Sequence, residues 1–261
     1  MFKRRVAPAQ HAQPVQTYNL SRGLRRWLAS LSFVGCLAGS AAAAGDEPVS
    51  TALGKSEAVL VGSSSFNQSF GRLIARELEG WGYQVTRKGV SGAGLSRPDY
   101  RDMNQVLEEL PIGENTAAVF VYLGVNDAQA VWLHPSERGP SGATSVPFGA
   151  ADWDVIYARR TREFLDRICQ RGAQRAVVLL PVDVNRNDMQ RRLDRIRDIQ
   201  VQAASQTTCA AVVETGGDAG QFEVAGVAKR LPDGFHMSSK GARVVWQRIE
   251  PEVLRLLSPA R

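Results

Sequence analysis

Five short apolar runs recur along this chain, and a segment of helical periodicity separates each from the next. The runs are Ala58–Val61, Tyr83–Thr86, Ala117–Leu123, Ala176–Leu180 and Ala210–Val213. Most show no inside/outside alternation, so they suit strands buried on both faces, as in a parallel sheet covered by helices. Between them, Phe70, Leu73, Ile74 and Leu78 form a helical stripe that ends at Gly80 and Gly82. A polar helix is expected around Asp99–Leu110. A longer one over Asp154–Gln170 carries Ile156, Phe164, Leu165 and Ile168 on its apolar side. Residues 188–205 and Ser238–Leu257 complete the helical segments. The pattern predicts one α/β domain: a three-layer, doubly wound sandwich around a central, mainly parallel five-stranded sheet. The stretch 128–150 contains Gly and Pro, is long for a simple connection, and is expected to form a lid over a site.

The formal charge of +6 is unevenly distributed. Lys3, Arg4, Arg5, Arg22, Arg25 and Arg26 fall in residues 1–44, which hold no acidic residue, and these six account for the whole excess. The remainder is balanced and gives no argument for a nucleic-acid partner. Residues 1–44 read as an N-terminal extension and signal peptide. Arg22, Arg25 and Arg26 precede an apolar run from Trp27 to Ala38, and Ala41–Ala44 offers small residues for cleavage. The run is short for a stable membrane span. Arg25-Arg26-Trp27-Leu28 also suits twin-arginine export and Gly35-Cys36 lipoprotein processing; an uncleaved signal would leave an anchored form. A small-polar linker over 45–56 leads into the domain at 57–261. The expected location is periplasmic or secreted. There Cys169 and Cys209 either form a disulfide or remain buried thiols.

In an open α/β sheet, ligands bind at the carboxyl ends of the strands. The first run ends in Gly62-Ser63-Ser64-Ser65, and the second leads into Gly89-Val90-Ser91-Gly92-Ala93-Gly94. The third ends in Gly124-Val125-Asn126-Asp127. Ahead of the last helix, Asp233-Gly234-Phe235-His236 sets a carboxylate three residues before an imidazole. Such a pair activates a serine: the imidazole takes its proton, and the carboxylate fixes the tautomer and stabilises the imidazolium. Leu231-Pro232-Asp233-Gly234 is also good turn chemistry without any catalytic role.

These blocks, in this order over about residues 57–257, resemble the SGNH (GDSL-like) hydrolase family, specifically an exported, poorly characterised subgroup. Gly94-Leu95-Ser96-Arg97-Pro98-Asp99-Tyr100 and Ala151-Asp152-Trp153 add to the likeness. The resemblance implies a flavodoxin-like SGNH hydrolase fold with Ser64 as nucleophile, His236 as base and Asp233 as its acidic partner. It implies an oxyanion hole from the Ser64 and Gly92 N–H groups and the Asn126 amide, with Gly94 as an alternative register for Gly92. No metal or organic cofactor is required. Ser63 stands where the family has Asp and Ser65 where it has Leu, so the first block is degraded. Ser63 is expected to bond neighbouring backbone as a capping hydroxyl. Ser63 and Ser65 remain alternative nucleophiles; Asp127 is read as structural and His134 as an exposed loop residue. Trp132, Trp153 and Tyr157 border the expected lid, as packing residues or as platforms for a sugar ring.

The function expected is an exported serine esterase removing acyl groups, O-acetyl among them, from an envelope carbohydrate or another ester. An acyltransferase with the same triad and a non-catalytic envelope module are the alternatives. Acyl length, natural substrate and oligomeric state are not legible.

Overall fold

The computed structural model describes residues 56–184, 186–216, 223–224, 227–228 and 230–258. The extension, the signal peptide and almost all of the linker lie outside the described residues. The first strand, β1 (Glu57–Ser63), turns through a short 3-10 helix (Ser64–Phe66) into α1 (Ser69–Gly80). Then follow β2 (Gln84–Val90), α2 (Met103–Glu108) and β3 (Thr116–Tyr122). After a second 3-10 turn at Val125–Asp127 come β4 (Val131–Trp132) and β5 (Ser145–Val146), paired antiparallel. The chain continues through α3 (Ala151–Gln170), β6 (Ala176–Leu179), α4 (Asn187–Ser205) and β7 (Ala210–Val213). A small antiparallel pair, β8 (Glu223–Val224) and β9 (Val227–Ala228), precedes the closing helix α5 (Ser239–Leu257).

The main sheet has the order β2-β1-β3-β6-β7 and is parallel throughout. Its central strands are apolar on both faces because each face has its own core. Val59, Val61, Val119, Val121 and Val178 pack with α3 and α4 residues such as Trp153, Phe164, Leu193 and Ile196. Their neighbours in sequence, Ala58, Leu60, Phe120 and Val177, turn to the other face against Phe70 and Ile74 of α1 and Val245 and Ile249 of α5. One-residue alternation between two apolar layers is therefore what removes alternation from the sequence.

Cys169 and Cys209 are joined in a disulfide, which ties the end of α3 to the entry of β7 across a separation of 40 residues. Closing a loop of that size is worth about 4 kcal/mol in the chain-entropy account. Among the described residues no helix is long and apolar enough to cross a membrane.

The expected lid is instead a pinned hairpin. Within 128–150, β4 pairs with β5, and the turn at Pro135–Glu137 is capped by His134. Arg160 of α3 reaches the Leu95 and Trp132 carbonyls and Glu137, and Arg159 also grips Glu137. Arg192 of α4 donates to the Ala128 carbonyl at 2.8 Å.

Candidate active site

Strand ends and the turn before α5 meet in one cavity of about 520 Å³, lined by Ser64, Gly92, Asn126 and His236 among others. Ser64 opens the 3-10 turn directly after β1. Just before it, within β1, Gly62 runs so close to β3 that a Cβ would strike the Tyr122 carbonyl. Ser64 Oγ lies 2.9 Å from His236 Nε2, and His236 Nδ1 lies 2.7 Å from Asp233 Oδ2. The serine, imidazole and carboxylate therefore form one hydrogen-bonded series, whose first two members are separated by 172 positions in sequence.

The Asp-Gly-Phe-His segment is a turn held by its own acid. Asp233 Oδ1 accepts the Phe235 N–H at 2.8 Å and the His236 N–H at 2.9 Å, leaving Oδ2 for the imidazole. The Leu231 N–H donates to the His236 carbonyl at 2.7 Å, and Gly234 supplies the positive φ of 74° that the turn needs. Burial works against charge on Asp233, but the bonds from the His236 side chain and the two N–H groups outweigh it. They hold its carboxyl at about 2. Asp233 is thus an anion at neutral pH.

A residue that sequence reading missed docks this turn on the sheet. Arg230 is almost fully buried and spans the Phe235 carbonyl on one side and the Val182 and Asp183 carbonyls on the other. Desolvation lowers its pKa from the ordinary value. Arg230 carries no local signature, because two of its three carbonyl partners, Val182 and Asp183, lie 48 and 47 positions away in sequence.

Gly92 lines the cavity with φ of 73°, a conformation that side-chain-bearing residues rarely adopt. Gly94 does not line it; a Cβ there would meet Asp127 Oδ1. One hydrogen of the Asn126 amide goes to the Ala93 carbonyl at 2.9 Å, which fixes Nδ2 beside the Gly92 loop; its second hydrogen has no partner among the described residues.

Beneath Asn126, Asp127 is fully buried. Its Oδ1 accepts the Ser96 N–H at 2.8 Å and its Oδ2 accepts the Tyr157 hydroxyl at 3.2 Å. Gln200 extends the chain to Tyr157 at 3.1 Å and to the Leu123 carbonyl at 3.2 Å. Desolvation, only partly offset by the bonds from Ser96 and Tyr157, pushes the Asp127 carboxyl up to about 6. Asp127 is thus the bracket between the loop carrying Gly92 and the loop carrying Asn126.

Ser63 and Ser65 line the cavity, but it is Ser64 that bonds the imidazole. The expected capping bond from Ser63 is not formed: its side chain makes no cap hydrogen bond. The corner is fixed instead by neighbours. Asn67 donates its backbone N–H to the Ser64 carbonyl at 2.9 Å and its amide to the Gly89 carbonyl, while Arg87 reaches the Phe66 carbonyl. His134 bonds Ser136 at 2.8 Å and stands apart from Ser64. Trp153 and Tyr157 are fully buried, so they pack, and Trp153 Nε1 pins the Gln129 carbonyl at 2.8 Å. Among the described residues no cluster of His, Cys, Asp and Glu is arranged to hold a metal.

The rest of the lining divides by character. Val125, Ala128, Met189 and Phe235 give an apolar wall, and Gln68, Ser91 and Gln129 a polar one.

Comparison with known proteins gives the following. The model of a family described as protein of unknown function (DUF459) matches residues 57–252. No curated protein sequence matches the chain. Among solved structures, a catalytic mutant of an acetylxylan esterase from Geobacillus stearothermophilus is 17% identical, with a TM-score of 0.55, over 80% of this chain and 97% of that one. The lipase/acylhydrolase from Enterococcus faecalis is 15% identical, with a TM-score of 0.52, over 78% and 99%. LAE5, an alpha/beta hydrolase from the metagenome of Lake Arreo, Spain, is 16% identical, with a TM-score of 0.50, over 78% and 96%. At such identities the likeness is one of fold, and the fold is that of the SGNH (GDSL-like) hydrolases.

Proposed function

Since the chain belongs to the DUF459 family and carries a Ser64–His236–Asp233 series on an SGNH hydrolase fold, we propose that it is an exported serine esterase. The observation that carries the reading is the continuity of that series, 2.9 Å and then 2.7 Å, within a cavity large enough for a substrate.

As Ser64 Oγ attacks the ester carbonyl carbon, its proton passes to His236 Nε2, and Asp233 balances the imidazolium through Nδ1. The carbonyl oxygen becomes an oxyanion facing the N–H groups of Ser64 and Gly92 and the free hydrogen of the Asn126 amide. One such donor is worth about 3–4 kcal/mol in the transition state. Collapse breaks the bond to the alcohol, which leaves with the proton from Nε2. Water, deprotonated by the same nitrogen, then attacks the acyl-enzyme; Ser64 regains its proton from Nε2, and the carboxylic acid departs and ionises in solvent.

Several features support the finer reading. Side-chain exposure of 28% at His236 and 44% at Asp233 gives water a path to the acyl-enzyme, which favours hydrolysis over transfer to another acceptor. The Cys169–Cys209 bridge and the apolar, basic-led N-terminal segment suit an oxidising compartment outside the cytoplasm. Acetyl groups on carbohydrate are the substrate class we favour, since the polar wall suits a hydroxyl-rich alcohol.

A fluorophosphonate probe should label the purified protein on Ser64, with the modified residue identified by peptide mass spectrometry. Hydrolysis of 4-nitrophenyl acetate should vanish in Ser64→Ala and in His236→Ala. Full activity in Ser64→Ala would overturn the assignment.

A further inference from the structure

A second cavity of about 620 Å³ lies beside the first, with Tyr100, Arg101, Trp132, His134 and Arg138 in its lining. The two share a wall. The Tyr100 ring lies against Gly92 so closely that a Cβ on Gly92 would come within 2.9 Å of Tyr100 Cε1. Arg97 spans the same wall, 3.5 Å from Gln129 Oε1 of the first cavity and paired at 2.8 Å with Asp99 of the second. The pinned hairpin continues the connection: Gln129 lines one cavity and Trp132 the other.

The chemistry of the second cavity selects among occupants. Its lining is too polar for an acyl chain, because Asp99, Asp102, Gln105 and Glu109 stand among the residues named above. Its charges are largely spoken for: Asp99 pairs with Arg97, Glu109 pairs with Lys88, and Asp102 caps α2. Arg101 and Arg138 make no ion pair among the described residues, and each guanidinium sits over an aromatic ring, Tyr100 at 5.6 Å and Trp132 at 5.9 Å. Tyr100 is 56% exposed. Half-open rings flanked by planar guanidinium donors that make no ion pair among the described residues match the CH face and the hydroxyl edge of a pyranose.

We propose that this second cavity is a carbohydrate subsite: it holds the sugar units that flank the esterified one, while the ester itself lies at Ser64. The inference rests on the esterase reading above and narrows it. The substrate is an acylated oligo- or polysaccharide, and its chain runs from the Ser64 cavity past Tyr100 toward Trp132.

Binding tests this without catalysis. Full-length protein carrying Ser64→Ala is titrated with a panel of O-acetylated xylo-, manno- and gluco-oligosaccharides, with tryptophan fluorescence and calorimetry as readouts. At least one member of the panel binds. Adding Trp132→Ala weakens that binding about tenfold, and Trp132→Phe, which keeps a ring, restores most of it. With Ser64 intact, Trp132→Ala lowers kcat/KM for the same oligosaccharide about tenfold more than for 4-nitrophenyl acetate. Three results would each overturn the subsite: no binding by any member of the panel, binding unchanged in Trp132→Ala, or equal losses on both substrates. Failure of the esterase reading shows separately, as absent fluorophosphonate labelling of Ser64.

Discussion

Two aspartates stand behind residues that line the cavity, Asp233 behind His236 and Asp127 next to Asn126, and their surroundings drive them in opposite directions. Asp233 lies on an exposed turn, accepts three hydrogen bonds from its own neighbours, and is held at about 2. Asp127 lies fully buried under Asn126, accepts bonds from Ser96 and Tyr157, and is pushed up to about 6. Three donors in a partly solvated site stabilise the anion, whereas two in a dry one do not repay its lost hydration. The contrast divides the labour. The charge that the proposed mechanism needs sits where it is readily kept. The buried carboxyl serves as a bracket, holding two loops together whether or not it is ionised.

Breaking the exposed end should cost activity and little else. Asp233→Asn retains an Oδ1 acceptor for the two N–H groups of the turn but cannot hold the imidazole tautomer or balance its charge. Activity on 4-nitrophenyl acetate is expected to fall by about 10³- to 10⁴-fold. The thermal unfolding midpoint should stay close to that of the parent, because the side chain is 44% exposed. A large loss of stability with modest loss of rate would mean that Asp233 is a turn residue only.

Overpacking the strand that leads into Ser64 should cost stability as well as rate. Gly62→Ala forces a methyl onto the Tyr122 carbonyl, between two central strands that have no room to part. Overpacking of this kind costs about 1–3 kcal/mol, seen as a lower urea midpoint at unchanged slope. Activity per folded molecule should also fall, since Ser64 follows two residues later.

Asp127 gives a pH signature to the same region. Its folded pKa, about 6, stands above the roughly 3.9 of an unfolded aspartate, so the folded state holds the proton more tightly. The associated stability is therefore fully present below pH ~4 and is lost as pH rises through about 6. Urea unfolding at pH 4.5 and pH 7 should show a decline of about 2 kcal/mol that Asp127→Asn removes. Equal pH dependence in parent and variant would show that Asp127 titrates as a solvent-exposed carboxylate does. Asp233 contributes with the opposite sign: its stabilisation is present above pH ~4 and is lost as pH falls toward about 2.

The two ends also differed in how far the sequence disclosed them. Strands of the sheet centre stood out because both their faces are buried, and Asp233 and His236 stood out because their partnership is local. At the sheet edge, β2 extends to Val90 beyond the expected Thr86, since Arg87 and Lys88 at its solvent side break the apolar run. The helix expected from Asp99 starts only at Met103, because Asp102 caps it by accepting the Asn104 N–H. The lid became a pinned hairpin for a different reason. Arg159, Arg160 and Arg192 hold it through carbonyls and Glu137, and arginine-to-carbonyl bonds across such separations leave no local pattern.

The degraded first block is where sequence and structure disagree most usefully. An Asp beside the nucleophile suggested that its replacement, Ser63, would inherit an anchoring bond. Ser63 is only 5% exposed and its hydroxyl caps nothing. The corner keeps its shape through the backbone bond from Asn67 to the Ser64 carbonyl, the Asn67 amide on Gly89, and Arg87 on Phe66. Ser63→Ala therefore removes no bond that positions Ser64, and kcat/KM should change by less than about threefold. Asn67→Ala leaves the Gly89 carbonyl without its side-chain partner and should lower stability by about 1–2 kcal/mol, with a larger loss of rate than Ser63→Ala. If Ser63→Ala instead costs as much as Asn67→Ala, the Ser63 hydroxyl anchors the corner after all.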